Sequence, residues 1–207
     1  MNRIRTILFL VLAGLSSAAA AQYSQLGSNS EFMLKIEAGY MPFVGNIGTA
    51  GDHGYYLSRF HNAANFNIMA GANVSQDWFI GGGAGVNYYH NFVQGLAIPA
   101  LGANVFADVD FRPIWHGTMG LDYQPGTIKL APLLGGRAGA SVLMGAPEPD
   151  GYDMTITPMA ELYGGINWYY LHGLRNMGYN WHSFYATIGI AYMQQTVFLP
   201  VRIGWRW

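Results

Sequence analysis

Nine charged residues lie inside segments whose apolar residues recur at every second position, and all nine fall on the less apolar side. They are Lys35, Glu37, Asp108, Asp110, Lys129, Arg137, Glu161, Arg202 and Arg206. A two-residue period marks a strand with two unlike faces. Slipping by one residue would exchange those faces, so a split kept over many strands is a strong constraint. A soluble sandwich turns its charges out to water and joins its apolar faces in a core. A transmembrane barrel does the reverse, because an Arg or Lys facing lipid at mid-depth costs about 2–4 kcal/mol.

Eight segments carry the period: residues 32–43, 64–74, 78–90, 97–111, 128–143, 155–170, 183–193 and 197–207. The last is the plainest, with Val197, Leu199, Val201, Ile203, Trp205 and Trp207 on one side and Arg202 and Arg206 on the other. Composition chooses between the two architectures. Only 10% of the residues are charged and 51% are hydrophobic, against about 25% charged in an ordinary soluble domain. No apolar run beyond the N-terminus is long enough for a spanning helix. The remaining way to satisfy every backbone polar group in lipid is a closed barrel. The expected fold is therefore all-β, a closed antiparallel transmembrane β-barrel of eight strands, each long enough to cross.

Aromatic placement gives the barrel two rims. With the N-terminal end in the periplasm, Phe32, Trp78, Phe111, Trp168, Tyr170, Phe184, Trp205 and Trp207 collect at the periplasmic rim. Tyr40, Phe66, Tyr88 and Tyr192 collect at the outer one. Rings with one polar edge favour the headgroup level on both sides of a bilayer.

The N-terminus reads as a secretory signal over residues 1–21. Arg3 and Arg5 give it a charged start, residues 7–15 a short apolar stretch, and residues 16–21 small side chains ahead of cleavage before Gln22. Residues 22–207 are then a single barrel domain, and they contain no cysteine for a disulfide or a lipid anchor. Removing two of the 10 basic residues moves the net charge from −1 to about −3. No basic stripe invites nucleic acid.

An eight-stranded barrel is just wide enough for side chains to fill it. The five basic and four acidic inward residues nearly cancel, which gives two readings. One is a salt-bridge network that plugs the lumen, each charge relieving its neighbour's desolvation. The other is a narrow polar pathway for ions. Inward glycines such as Gly81, Gly83, Gly85, Gly135 and Gly139 leave room either for water or for Arg137 and Tyr163 to pack against them.

Connections are uneven. The first outer loop, residues 45–62, carries His53, Tyr55, Tyr56, Arg59, Phe60 and His61; it either packs over the barrel mouth or meets an extracellular ligand, and the first of these is the expectation. The third, residues 145–153, holds Pro147, Pro149 and Gly151, while the second and fourth are short. The inner links 112–127 and 171–182 are longer than such barrels usually need, and only residues 75–77 form a tight inner turn. Catalysis needs a nucleophile with a base in reach. His182 and Ser183 are adjacent, but their spacing and periplasmic placement do not fit a lipid A deacylase. His53, His61 and His90 lie near the outer rim with no assignable serine–acid partner, and their spacing matches no compact zinc motif. The reading is of a chain without enzymatic activity, cofactor or metal.

The closing strand 197–207, with Trp207 where phenylalanine is commoner, resembles the C-terminal signal of Gram-negative outer-membrane proteins. With the stretches Phe79-Ile80-Gly81-Gly82-Gly83-Ala84-Gly85-Val86, Ile98-Pro99-Ala100-Leu101 and Gly135-Gly136-Arg137-Ala138-Gly139, the chain resembles the small porin-family or OmpA/OmpX-like barrels, especially those of Bacteroidetes. The resemblance implies a place in the cell outer membrane, contact with its lipid and lipopolysaccharide, and insertion by the barrel-assembly machinery through the last strand. The function expected is a structural or surface-interaction role with a largely plugged lumen. A small-pore channel is the alternative, and an outer-membrane lipid-modifying enzyme comes third.

Overall fold

The computed structural model describes residues 32–46, 60–74, 78–93, 96–97, 100–112, 128–144, 155–172, 180–194 and 196–207. They form β1 (Phe32–Asn46), β2 (Phe60–Asn73), β3 (Trp78–Val93), β4 (Leu96–Ala97), β5 (Ala100–Phe111), β6 (Ile128–Met144), β7 (Thr155–His172), β8 (Asn180–Met193), β9 (Thr196–Phe198) and β10 (Val201–Arg206). All pairings are antiparallel, in the order β10-β1-β2-β3-β5-β6-β7-β8-β9. β9 and β10 both lie between β8 and β1, so they are two parts of one stave that closes the sheet on itself. β4 is a two-residue pairing with the end of β3. The protein is thus an all-β, closed antiparallel barrel of eight staves, as its alternation predicts.

Following directly paired residues once round shows how the sheet closes. The row runs Met33, Gly71, Gly81, Asp108, Arg137, Glu161, Ala191, Phe198 and back to β1 at Phe43. It returns ten positions further along β1 than it left, from Met33 to Phe43. A stagger of this kind obliges the staves to tilt against the barrel axis. The break between β9 and β10 falls at Leu199–Pro200, where proline has no N–H to give to the ladder. Flanking groups bridge it: Leu199 N donates to Pro42 O and Gly189 N to Pro200 O, both at 2.9 Å. At the terminus Trp207 and Leu34 exchange backbone hydrogen bonds of 2.9 and 3.0 Å.

Several strands run beyond their expected ends. β1 continues to Asn46, β2 begins at Phe60 and β3 reaches Val93. On the other side Leu171 pairs with Trp181 and His172 with Asn180, so the link expected over 171–182 is shorter. The ladder continues because each added pair satisfies backbone N–H and C=O groups that alternation cannot reveal. The signal segment, the turn at 75–77, loop residues 47–59 and 145–154, and the inner link 113–127 lie outside the described residues.

The core is inside the barrel. Towards the rim away from the chain ends, the lumen is filled by Met41, Met69, Tyr89, Phe106, Met159, Met193 and Phe198 with smaller neighbours. Nearer the chain ends, Leu133, Tyr163 and Tyr185 pack together. Glycines make the room for the tyrosines. A Cβ at Gly135 would meet the ring of Tyr163, and one at Gly204 the ring of Tyr185. Overfilling such a site costs about 1–3 kcal/mol. Gly135→Val is expected to lose that much in urea unfolding of the lipid-refolded protein, whereas Gly136→Val, whose Cβ would come no closer than 3.3 Å to Leu162 on the outer face, should lose much less.

Candidate functional site

The densest chemistry lies in the lumen, where neighbouring staves present charge on the same face. Asp108, Arg137 and Glu161 are direct cross-strand partners on β5, β6 and β7. Side chains directly opposite on one face stand about 4.5–5.5 Å apart at Cβ, close enough to pair. Lys35 and Glu37 come from β1, Asp110 from β5, and Arg202 and Arg206 from β10, which pairs with β1. The eight are each at most 5% exposed.

Arg137 is the hub. Its guanidinium grips both carboxylate oxygens of Glu37, with Nη2 to Oε2 at 2.8 Å and Nη1 to Oε1 closer still. Its Nε donates to Asp108 Oδ1 at 2.9 Å, and Glu161 lies 3.9 Å from Nη1. The planar guanidinium suits this, since it offers several donors in a fixed fork. It also lies over the rings of Tyr163 and Phe106, at 4.8 and 5.2 Å from their centroids.

Two further centres extend the network. Asp110 receives Lys35 at 2.7 Å, Arg206 at 2.8 Å and Arg112 at 2.9 Å, and Lys35 also bonds Asp108. Arg202 bonds Glu161 and approaches Glu37 at 3.5 Å. Neutral donors add to two of the carboxylates. Tyr163 Oη donates to Asp108 Oδ1 at 2.8 Å, Tyr185 Oη to Glu37 Oε2 at 3.1 Å, and Asn67 Nδ2 to Glu37 Oε1 at 2.7 Å. A charge taken out of water is tolerable only when paired and hydrogen-bonded, and each acid here has at least one cation against it.

Arg112 and Tyr185 also belong to this network, although the apolar period singles out neither. Arg112 continues the alternation Asp108, Asp110, Arg112, but the outward apolar residues that define the period end at Phe111, which places Arg112 in the following link. It donates to Asn73 as well as pairing with Asp110. Tyr185 sits on the inward side of β8 between Ser183 and Thr187, where an aromatic gives no polar signal. The side chain of Lys129 lies outside the described residues, although its backbone pairs with Tyr169.

The outer face is the converse. Leu162 and Ile203 are each 69% exposed, and Phe32, Tyr40, Phe66, Trp78, Tyr88, Trp168, Phe184, Trp205 and Trp207 also point out of the barrel. Phe111 and Tyr192 are partly exposed, and the side chain of Tyr170 is outside the described residues. At the rim with the chain ends, Trp78 meets Phe111 at 4.8 Å, and Phe184 stacks on Trp205 at 5.4 Å with Trp207 beyond it at the same distance. At the other rim Tyr88 packs edge-on against His90 at 4.9 Å.

Ser183 is fully buried in the lumen, and the side chains of His182 and His61 lie outside the described residues, as does His53. Among the described residues there is no group of three His, Cys, Asp or Glu that could hold a metal ion. Of the aromatic first loop, Tyr55, Tyr56 and Arg59 are outside the described residues, as is the side chain of Phe60.

No protein-family model matches this chain, and neither does any curated protein. Solved structures do. Neisserial surface protein A matches with a TM-score of 0.54 at 12% identity, over 86% of this chain and 98% of that one. The N-terminal β-barrel domain of Pseudomonas aeruginosa OprF matches at 0.47 and 13%, over 86% and 100%. Ail, the attachment invasion locus protein of Yersinia pestis, matches at 0.41 and 16%, over 86% and 99%. The first is a likeness of fold, and the other two add nothing to it.

Proposed function

We propose that the protein is an integral β-barrel of a bacterial outer membrane, with a structural or surface-interaction role, no catalytic activity and a lumen closed to solutes. One observation carries this reading. Every charged side chain among the described residues, Arg112 included, is inside the barrel and no more than 5% exposed, while the outer face is apolar. Water-soluble proteins rarely expose apolar patches beyond a few hundred Å², whereas lipid requires such a face. The two groups of rim aromatics lie where headgroups would meet the barrel.

The remaining parts of the reading rest on the sequence pattern. Export removes residues 1–21, the chain ends face the periplasm, and lipid and lipopolysaccharide surround the wall. The assembly machinery engages the closing strand, whose β10 part already pairs with both β1 and β8. Closure of the lumen is supported by the ion pairs across one part of it and the methionine and aromatic layer across the other. Planar-bilayer recording of the refolded protein is expected to show no defined conductance steps. Discrete steps that Glu161→Ala alters would place the pathway through the network and replace this reading with a channel. Lipid A from cells with and without the protein is expected to have the same mass profile.

A further inference from the structure

A groove of about 610 Å³ cuts the outer face of the wall between β5 and β9. Small-ligand sites have volumes of about 300–1,000 Å³, so it is large enough to hold one. Its floor is Ala107, Gly136, Ala138 and Ala160, small residues on three adjacent staves. Leu162 and Ile190 stand beside them, both exposed. Arg137 and Glu161 border the groove as well, but their side chains are buried in the lumen, and the groove itself is apolar.

The strand register gives the groove its direction. Ala107, Ala138, Ala160, Tyr192 and Val197 are successive direct partners from β5 to β9, and all five line it. Their row lies one residue from the row through Asp108, Arg137, Glu161, Ala191 and Phe198, which climbs from Met33 to Phe43 of β1 as the sheet closes. The groove therefore rises from mid-depth to Tyr192, among the aromatics of the outer rim. Four interstrand steps of about 4.8 Å make it about 19 Å long. Strands tilted by about 35–45° direct more than half of that length along the bilayer normal, close to the depth of one leaflet of a hydrocarbon core about 30 Å thick.

We infer that this groove holds an acyl chain of a lipopolysaccharide molecule in the outer leaflet, an inference that rests on the outer-membrane reading above. Atoms that line an empty space forfeit their dispersion contacts, and a concave apolar face in hydrocarbon offers water nothing to bond. A chain descending from the outer leaflet enters at Tyr192, whose ring suits the headgroup level, and lies along the three alanines. A second copy of the barrel does not fill the same space. A two-fold dimer sets one patch against itself, which would place groove over groove and enclose twice the empty volume.

Native mass spectrometry of the refolded protein, released from micelles after incubation with lipid A, tests this. One lipid A is expected to stay on the wild-type barrel, while phosphatidylethanolamine is stripped under the same conditions. The double variant Ala138→Leu/Ala160→Leu should lose the lipid A, and so should Ala107→Leu, which fills the groove from β5. Ala70→Leu adds the same bulk at an exposed position of β2 and should keep it. The inference is overturned if the filled variants retain lipid A, or if phosphatidylethanolamine stays as firmly. A dimer that the filled variants abolish would overturn it too, and would make the groove a contact between copies. Heat-modifiable gel migration separates the two readings. A wild-type protein that fails to shift removes the barrel and the groove together, whereas one that shifts and retains no lipid A removes the groove site alone.

Discussion

Arg137→Ala is expected to destabilise the barrel by about 3–5 kcal/mol, the range for removing one partner of a buried ion pair. Arg137 holds Glu37 through two nitrogens and Asp108 through a third, on a row where Asp108 and Glu161 flank it directly. Without it, four carboxylates share four cations, and Glu37 loses its bidentate partner while staying out of water. Arg202 and Tyr185 still face Glu37, and Lys35 and Tyr163 still face Asp108, which holds the loss near the lower end of the range. Urea unfolding of vesicle-refolded protein, followed through its six tryptophans, measures it. Arg137→Lys should fall in between, since lysine restores the charge but not the fork. A loss below about 1 kcal/mol for the alanine variant, the scale of an exposed pair, would mean that the network is solvated and does not close the lumen.

Leu162→Arg tests the other face, with an expected loss of about 2–4 kcal/mol in a bilayer. Leu162 is near the middle of β7, paired with Gly136 and Ile190, and is 69% exposed. Facing water, an arginine there would change stability by no more than about 0.5 kcal/mol. Facing hydrocarbon, it must desolvate or reach for a headgroup. Leu162→Phe keeps the site apolar and should be close to neutral. The same urea experiment reads both variants.

Much of this fold is legible from alternation. The inward set Lys35, Glu37, Asp108, Asp110, Arg137, Glu161, Arg202 and Arg206 shares a face with glycine, asparagine and threonine, so the period survives in each strand. The period weakens where the lumen is apolar. Met41, Met69, Met159 and Met193 point inward yet read as outward residues by hydropathy, which hides the second packing layer. Arg112 escapes the period for a related reason, because a strand end carries too few residues to show one. Partner identity is harder again. Arg137 and Glu37 are 100 residues apart in sequence and meet across the lumen. Only barrel closure with its ten-residue stagger brings them together, and no local pattern encodes that. Lipid-facing residues need no such partners, so their positions are easier to read than their neighbours' roles.

The most direct test of the central claim, an apolar face in lipid around a closed polar interior, uses the absence of cysteine from the chain. Single cysteines placed along β7 at Met159, Ala160, Leu162 and Tyr163 can be labelled with a fluorophore in vesicle-refolded protein and exposed to a nitroxide lipid quencher. Ala160→Cys and Leu162→Cys should label readily and be strongly quenched. Met159→Cys and Tyr163→Cys, at positions that are buried in the lumen, should resist both the label and the quencher. Equal quenching at all four positions, or a protein that stays in the aqueous phase without inserting, would contradict a transmembrane barrel with a closed interior.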